Sequence, residues 1–511
     1  MLSALRSGLL ICCMMVPVWM HYAEFPSQHY NVDPSSVVFP SSLSSPFATA
    51  NRVHLFDESV DLQSRYQHAV DGLFAVTTRL KVLLGLNSRR NLLVSPLSST
   101  TALGQILLGA RGPSRRHLLE IMSTVNRTSN TTEATAVEFH QELGGLLKLL
   151  QTGTDHGDSY QLHLANALFL HPELRLLSNF QHAIADLYGT DLIPLNFSGD
   201  PESVLQTINQ WAASHTNGVI NKLYSHPLPA TTAAVLTNAI YFKGDWETPF
   251  NPRHTIAGTF KSNETHAVAV QYMRGQFDLM YVESKRTGCR MVAIPYKHAK
   301  AAMYVILPDK GNIYSIQAFA ASLSVEDILE LISTTKMASV SLVMPKMKLS
   351  HVFSLRKVLS HFRKDIGASL RDAVHRHRMT HQNGGSTHSL RCHGWNCTQF
   401  NQPHCNSSLH TQSDGGILNV TSNVTAEDDK LSFDMSGASP DYQFRIDDII
   451  QHVYVEVSEL GTIAAAVGGT IVDYFGDYTN FVMDRPFLFF IRHEVTGTPL
   501  FWGTIVDPTN T

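Results

Sequence analysis

The chain has 511 residues, of which 43% are hydrophobic and 16% charged, and its formal charge is -4 at pH 7. These are the proportions of an ordinary folded protein, and they exclude a disordered or low-complexity chain. So small a net charge gives no electrostatic reason to expect nucleic acid or an anionic membrane as partner. The length would hold two or three average domains, although large single folds also reach it.

In residues 1–23, one early cation, Arg6, precedes the apolar run Gly8–Trp19 (GLLICCMMVPVW). That run falls short of the roughly 20 residues needed to span a bilayer. It has the form of a secretory signal, so a secreted, extracellular protein is expected, with an uncleaved anchor as the alternative. His21 interrupts the small-residue pattern before Ala23 and leaves the cleavage point open. Residues 24–56, which include PSSVVFPSSLSSPF, form a Ser/Pro-rich tail without a periodic apolar face.

The folded part is expected over residues 57–511. Tyr66, Ala69, Val70, Leu73, Val76 and Leu80 recur at helical spacing and predict an amphipathic helix. A second helix should start after Pro96, with Ser95 and Ser98 near its N-terminus as caps. Residues 131–151 predict a third, with Leu143, Leu146, Leu147 and Leu150 toward the core. Leu162–Leu170 and Val235–Phe242 read as central strands, Met291–Leu307 and Val340–Met347 give three more strand-like runs, and Pro486–Pro508 ends the chain with a strand pair.

Eight Asn-x-Ser/Thr sequons, at Asn126, Asn130, Asn196, Asn263, Asn396, Asn406, Asn419 and Asn423, agree with a secreted glycoprotein. Outside the signal the cysteines are Cys289, Cys392, Cys397 and Cys405. In an oxidising compartment they are expected to form disulfides, with three pairings open. Four of the sequons and three of these cysteines fall in residues 374–430, a stretch poor in aliphatic residues that also holds His375, His377, His381, His388, His393, His404 and His410. Imidazoles in such number suit zinc or copper. The spacing Cys392-x4-Cys397-x7-Cys405 nevertheless lacks the tight pairs of a structural zinc site, so the stretch reads as a glycosylated, disulfide-pinned insertion, with no metal or other cofactor expected.

The stretch that organises the chain is Val457–Pro486, VSELGTIAAAVGGTIVDYFGDYTNFVMDRP. Glu459 and Gly461 end the strand Tyr454–Val457, and the run Thr462–Gly469 carries no bulky side chain except Ile463. As a strand, this run would turn Thr462, Ala464, Ala466 and Gly468 to one face and Ile463, Ala465 and Val467 to the other. The first set is small enough to slide beneath flanking strands.

This stretch resembles the hinge and reactive-centre loop of the serpins. FVMDRPFLFFI (481–491), NLLVSPLSSTTALGQILLGARG (91–112) and TNAIYFKGDWETPF (237–250) are similar to further serpin segments and keep the family order. The resemblance implies an α+β fold with a large mixed central sheet A, sheets B and C, about eight or nine helices and an exposed reactive-centre loop. It implies a monomer and a suicide inhibitor with no catalytic residues of its own. No Gly-x-Ser-x-Gly or His-Glu-x-x-His motif suggests an enzyme. Cleavage of the loop by a serine protease, or less commonly a cysteine protease, forms an acyl-enzyme, and the loop then inserts as a strand and carries the protease with it.

By the same resemblance, the hinge comprises Glu459, Gly461, Thr462, Ala464, Ala465, Ala466 and Gly468. Ser95, Ser98, Asn238 and Gln451 fall at the shutter where the sheet opens, and Trp246 at the breach where the loop enters. The helix at 131–151 matches the one that binds heparin in some members, but its one lysine, Lys148, faces Glu133, Glu138 and Glu142 in the count, too few cations for glycosaminoglycan binding. Ile463 departs from the usual acidic residue. Gly461 and Pro486 lie 25 positions apart, which puts the scissile bond between Phe475 and Gly476. An aromatic at Phe475 suits a chymotrypsin-like pocket. The insertion at 374–430 should sit at the pole opposite the loop. A non-inhibitory carrier, precursor or chaperone is the alternative, and its expected mark is a spoiled hinge.

Overall fold

The computed structural model describes residues 62–85, 90–122, 133–152, 160–309, 315–360, 433–441, 444–462 and 478–510. In α1 (Gln67–Gly85) the predicted positions Ala69, Val70, Leu73, Val76 and Leu80 are all buried, while Tyr66 precedes the helix and is half-buried. α2 (Pro96–Gly109) begins at Ser95, whose hydroxyl accepts from the Ser98 amide at 3.1 Å. Pro96 fits the first helical position because no intrahelical partner exists there for an N–H. α3 (Gly112–Met122) and α4 (Glu133–Thr152) follow, the latter burying Leu143, Leu146, Leu147 and Leu150 as expected. The remaining helices are α5 (Ser178–Tyr188), α6 (Pro201–His215), α7 (Ile316–Ser322), α8 (Val325–Ser333) and α9 (Leu355–Ser360).

The strands are β1 (Leu92–Val94), β2 (Tyr160–Leu170), β3 (Thr190–Pro194), β4 (Ala234–Asp245), β5 (Ile256–Lys261), β6 (Ala267–Ser284), β7 (Cys289–Pro295) and β8 (Ala301–Pro308). They continue with β9 (Lys336–Pro345), β10 (Met347–Ser354), β11 (Asp448–Ser458), β12 (Gly461–Thr462), β13 (Thr479–Val482), β14 (Phe487–His493) and β15 (Thr498–Ile505). A six-stranded mixed sheet has the order β10-β11-β12-β4-β2-β3, with β11 also paired directly to β4. Its central strand β4 is buried on both faces. Leu236, Ile240 and Phe242 enter the main core, while Val235, Ala239 and Tyr241 pack with Val204, Ile208 and Trp211 of α6. Burial on two faces is why this strand reads as a continuous apolar run.

The other sheet has the order β1-β15-β14-β8-β7-β6-β9-β13, with β5 on β6. Its β6 is 18 residues long and pairs with β5 near one end and β7 near the other. The two smaller sheets implied by the resemblance therefore run into one another through a shared strand. β10 and β11, antiparallel from Met347↔Val457 to Ser354↔Ile450, bound the segment that contains the insertion. Residues 374–430 lie outside the described residues.

One expectation is corrected. Cys289 is a free cysteine, fully buried at the start of β7, with Sγ 3.1 Å from the Thr287 hydroxyl. Burial pushes its thiol up to about 11. An oxidising compartment does not by itself pair a cysteine, and the Cys289 side chain, turned into the core beside a strand, meets no other cysteine among the described residues. Cys392, Cys397 and Cys405 lie outside the described residues.

Three buried histidines make stability depend on pH. Burial is the main cause in each case, lowering His140 and His452 to about 4 and His493 to about 3. As pH falls below 6.5 the unfolded chain takes up these protons before the folded one does. The stabilisation is therefore complete above that pH and is lost on descent toward 4. Each group should cost about 1 kcal/mol between pH 6.5 and 5.5, so the thermal midpoint should drop over this interval. His452→Gln should flatten the profile, and an unchanged slope would remove His452 from the account.

Candidate functional site

Two polar clusters lie on the six-stranded sheet. The first is a row across its centre, where the register aligns Gln451 of β11 with Asn238 of β4, and Asn238 with Asn166 of β2. All three are buried, as are Ser95, Ser98 and Ser99 at the start of α2. The Asn238 amide donates to Asn166 Oδ1, and its carbonyl accepts from the Ser98 hydroxyl. Gln451 donates to Ser98 Oγ at 3.3 Å and accepts from Ser99 Oγ at 2.6 Å. Asn166 in turn donates to the Tyr188 carbonyl at 2.9 Å, and Ser95 Oγ donates to the Leu500 carbonyl at 2.7 Å. The helix end thus ties together β11, β4 and β2.

Of the predicted residues, Ser98, Asn238 and Gln451 meet directly. Ser95 serves as the helix cap and reaches the other sheet instead. Ser99 and Asn166 were not singled out by the sequence. Asn166 had a legible signal, a lone amide inside LHLANALFL.

The second cluster is at the top of the same sheet. β12 lies between β11 and β4, with Thr462 opposite Val457 and Gly244, and Gly461 opposite Ser458 and Asp245. Below it β11 and β4 pair directly, in parallel, from Asp448↔Val235 to Tyr454↔Tyr241. Trp246 is buried and donates from its ring to the Ser458 carbonyl at 3.0 Å and from its backbone amide to the Leu460 carbonyl at 2.9 Å. Its ring stacks on Tyr296 at 4.7 Å. Glu459 accepts from Lys346 at 2.9 Å and from the Thr255 hydroxyl at 2.8 Å. Burial alone would raise the Glu459 pKa, but these partners hold it below the usual carboxylate range.

Glu459, Gly461, Thr462 and Trp246 are therefore brought together. Ala464, Ala465, Ala466 and Gly468 of the hinge, with Phe475 and Gly476, lie outside the described residues. Lys346, Thr255 and Tyr296 carry no local sequence signal, because each reaches the hinge from a distant strand or loop.

The arrangement can do one thing chemically: hold the end of a small-residue segment between two strands that remain paired to each other below it. The serpin family profile, described as serine protease inhibitor, matches residues 72–369 and 429–508. The chain belongs to the serpin family. The match breaks off over the stretch rich in histidine and cysteine. The chain is 27% identical to serpin B4 of Homo sapiens over 433 residues, covering 83% of this chain and 95% of that protein. It is 28% identical to serine protease inhibitor 28Dc of Drosophila melanogaster over 442 residues, covering 81% and 75%. Among solved structures, mouse protein-Z dependent protease inhibitor superposes with a TM-score of 0.65 at 19% identity, covering 89% of this chain and all of that one. Human thyroxine-binding globulin gives 0.64 at 22% identity, covering 88% and 99%. These likenesses are in fold.

Proposed function

We propose that this protein is a secreted inhibitory serpin that traps a chymotrypsin-like serine endopeptidase, with a cathepsin-like cysteine protease as the second target class. The carrying observation is the state of the six-stranded sheet: β11 and β4 are closed in parallel over Asp448–Tyr454, and the hinge is lodged at their upper end. A strand entering there runs antiparallel to both neighbours and exchanges one parallel ladder for two antiparallel ones, which are slightly more stable per residue. The sequence supplies the strand, since residues 462–469 have no proline, charge or large side chain except Ile463.

The choice of target rests on Phe475, reached by counting from Gly461. Incubation with chymotrypsin should give a complex that survives denaturation and a released C-terminal peptide beginning at Gly476. Loop cleavage without a complex would favour the non-inhibitory carrier, precursor or chaperone.

Secretion is supported by two exposed sequons already bent into side-chain turns. Asn196 Oδ1 accepts from the Ser198 hydroxyl at 2.7 Å, and Asn263 Oδ1 from the Thr265 hydroxyl at 3.0 Å. Expressed through a secretory pathway, Asn196→Gln and Asn263→Gln should each lose one glycan, read as a step in gel mobility that glycosidase abolishes. Wild-type mobility for both variants would count against these sites.

A further inference from the structure

The hinge rests in a seat whose parts come from three places in the chain. At Gly461 the backbone φ is +151°, and a Cβ there would lie 2.1 Å from the Gly244 carbonyl oxygen. At Gly244 a Cβ would lie 2.8 Å from Cδ1 of Tyr296. The absence of both side chains lets the hinge backbone close on β4 and lets the Tyr296 ring slide under it. That ring is wholly buried, stacked on Trp246, and its hydroxyl is 2.8 Å from Thr462 Oγ1. Thr462 is also wholly buried.

A buried tyrosine hydroxyl needs a partner. Here that partner is on the segment that has to enter the sheet, and with the hinge withdrawn both hydroxyls would lose this bond. We infer that Tyr296 is a positioning residue that seats Thr462 between β11 and β4 before any cleavage, so that the first rung and the register of loop insertion are already set. The seat gives insertion a lead over hydrolysis of the acyl-enzyme, and this consequence rests on the inhibitory reading above.

The test uses the full-length protein and three variants: Tyr296→Phe, Thr462→Val, and the two combined. Hydrogen exchange of the 458–462 amides reads the seat directly, whether or not the protein inhibits anything. Tyr296→Phe strands the Thr462 hydroxyl and should speed this exchange at least about fivefold, while the double variant, with neither hydroxyl left, should return toward wild type. With chymotrypsin, the number of inhibitor molecules consumed per protease trapped should rise at least about fivefold in Tyr296→Phe and recover in the double variant. The rate of loop cleavage should stay unchanged, while the thermal midpoint should fall slightly in Tyr296→Phe and recover in the double variant.

Unaltered exchange in Tyr296→Phe, or additive effects in the double variant, would overturn the seat. Altered exchange with an unchanged consumption ratio would overturn the lead over hydrolysis. If the exchange pattern appears but the wild type traps no protease, the seat stands and the inhibitory reading falls.

Discussion

On the proposed inhibitory reading, Thr462→Arg is expected to turn the protein from an inhibitor of chymotrypsin into its substrate. Thr462 is wholly buried, with its hydroxyl on Tyr296 and its backbone paired to both β11 and β4. An arginine cannot keep that position without taking a guanidinium beneath the sheet, where an unpaired charge costs far more than insertion of one further residue returns. The loop should still be cut, because the proposed scissile bond, Phe475–Gly476, begins 13 positions further along the chain. The covalent complex should disappear from denaturing gels, chymotrypsin should regain activity, and cleaved protein should accumulate. Trapping that persists in this variant would mean that Thr462 does not face inward as the loop enters.

Asn238→Ala should produce the largest loss of stability. The side chain joins α2 to β4 through Ser98 and β4 to β2 through Asn166, all within the buried centre of the sheet. Its removal strands the Asn166 carbonyl and takes an acceptor from the Ser98 hydroxyl. At about 1–3 kcal/mol for each buried group left unpaired, the variant should lose about 2–5 kcal/mol in the first transition of chemical denaturation. Ser99→Ala should lose less, since it deprives only the Gln451 carbonyl of its donor. A loss below about 1 kcal/mol for Asn238→Ala would show that the polar row does not hold these strands together.

Most elements were legible locally. The helical spacing from Tyr66 to Leu80, the cap and proline at Ser95 and Pro96, and the two-face burial of Val235–Phe242 all follow from contacts within or next to one element. The motif 237–250 also marked Asn238 and Trp246. Yet the sequence could not say that Trp246 would lie on Tyr296, or that Lys346 and Thr255 would share Glu459. Cys289 failed for the same reason: its chemistry was inferred from a compartment, and its surroundings are fixed by a strand.

By itself, then, the sequence determined the family, several of its helices and strands, and a run of small residues after Gly461. These are properties of composition and period along a continuous stretch. The tertiary structure decided that Gln451, Asn238 and Asn166 form one row, and that the hinge is lodged by two residues with Thr462 on Tyr296. Such meetings depend on register between segments 72 or more residues apart, where a slip of one position turns every side chain to the other face.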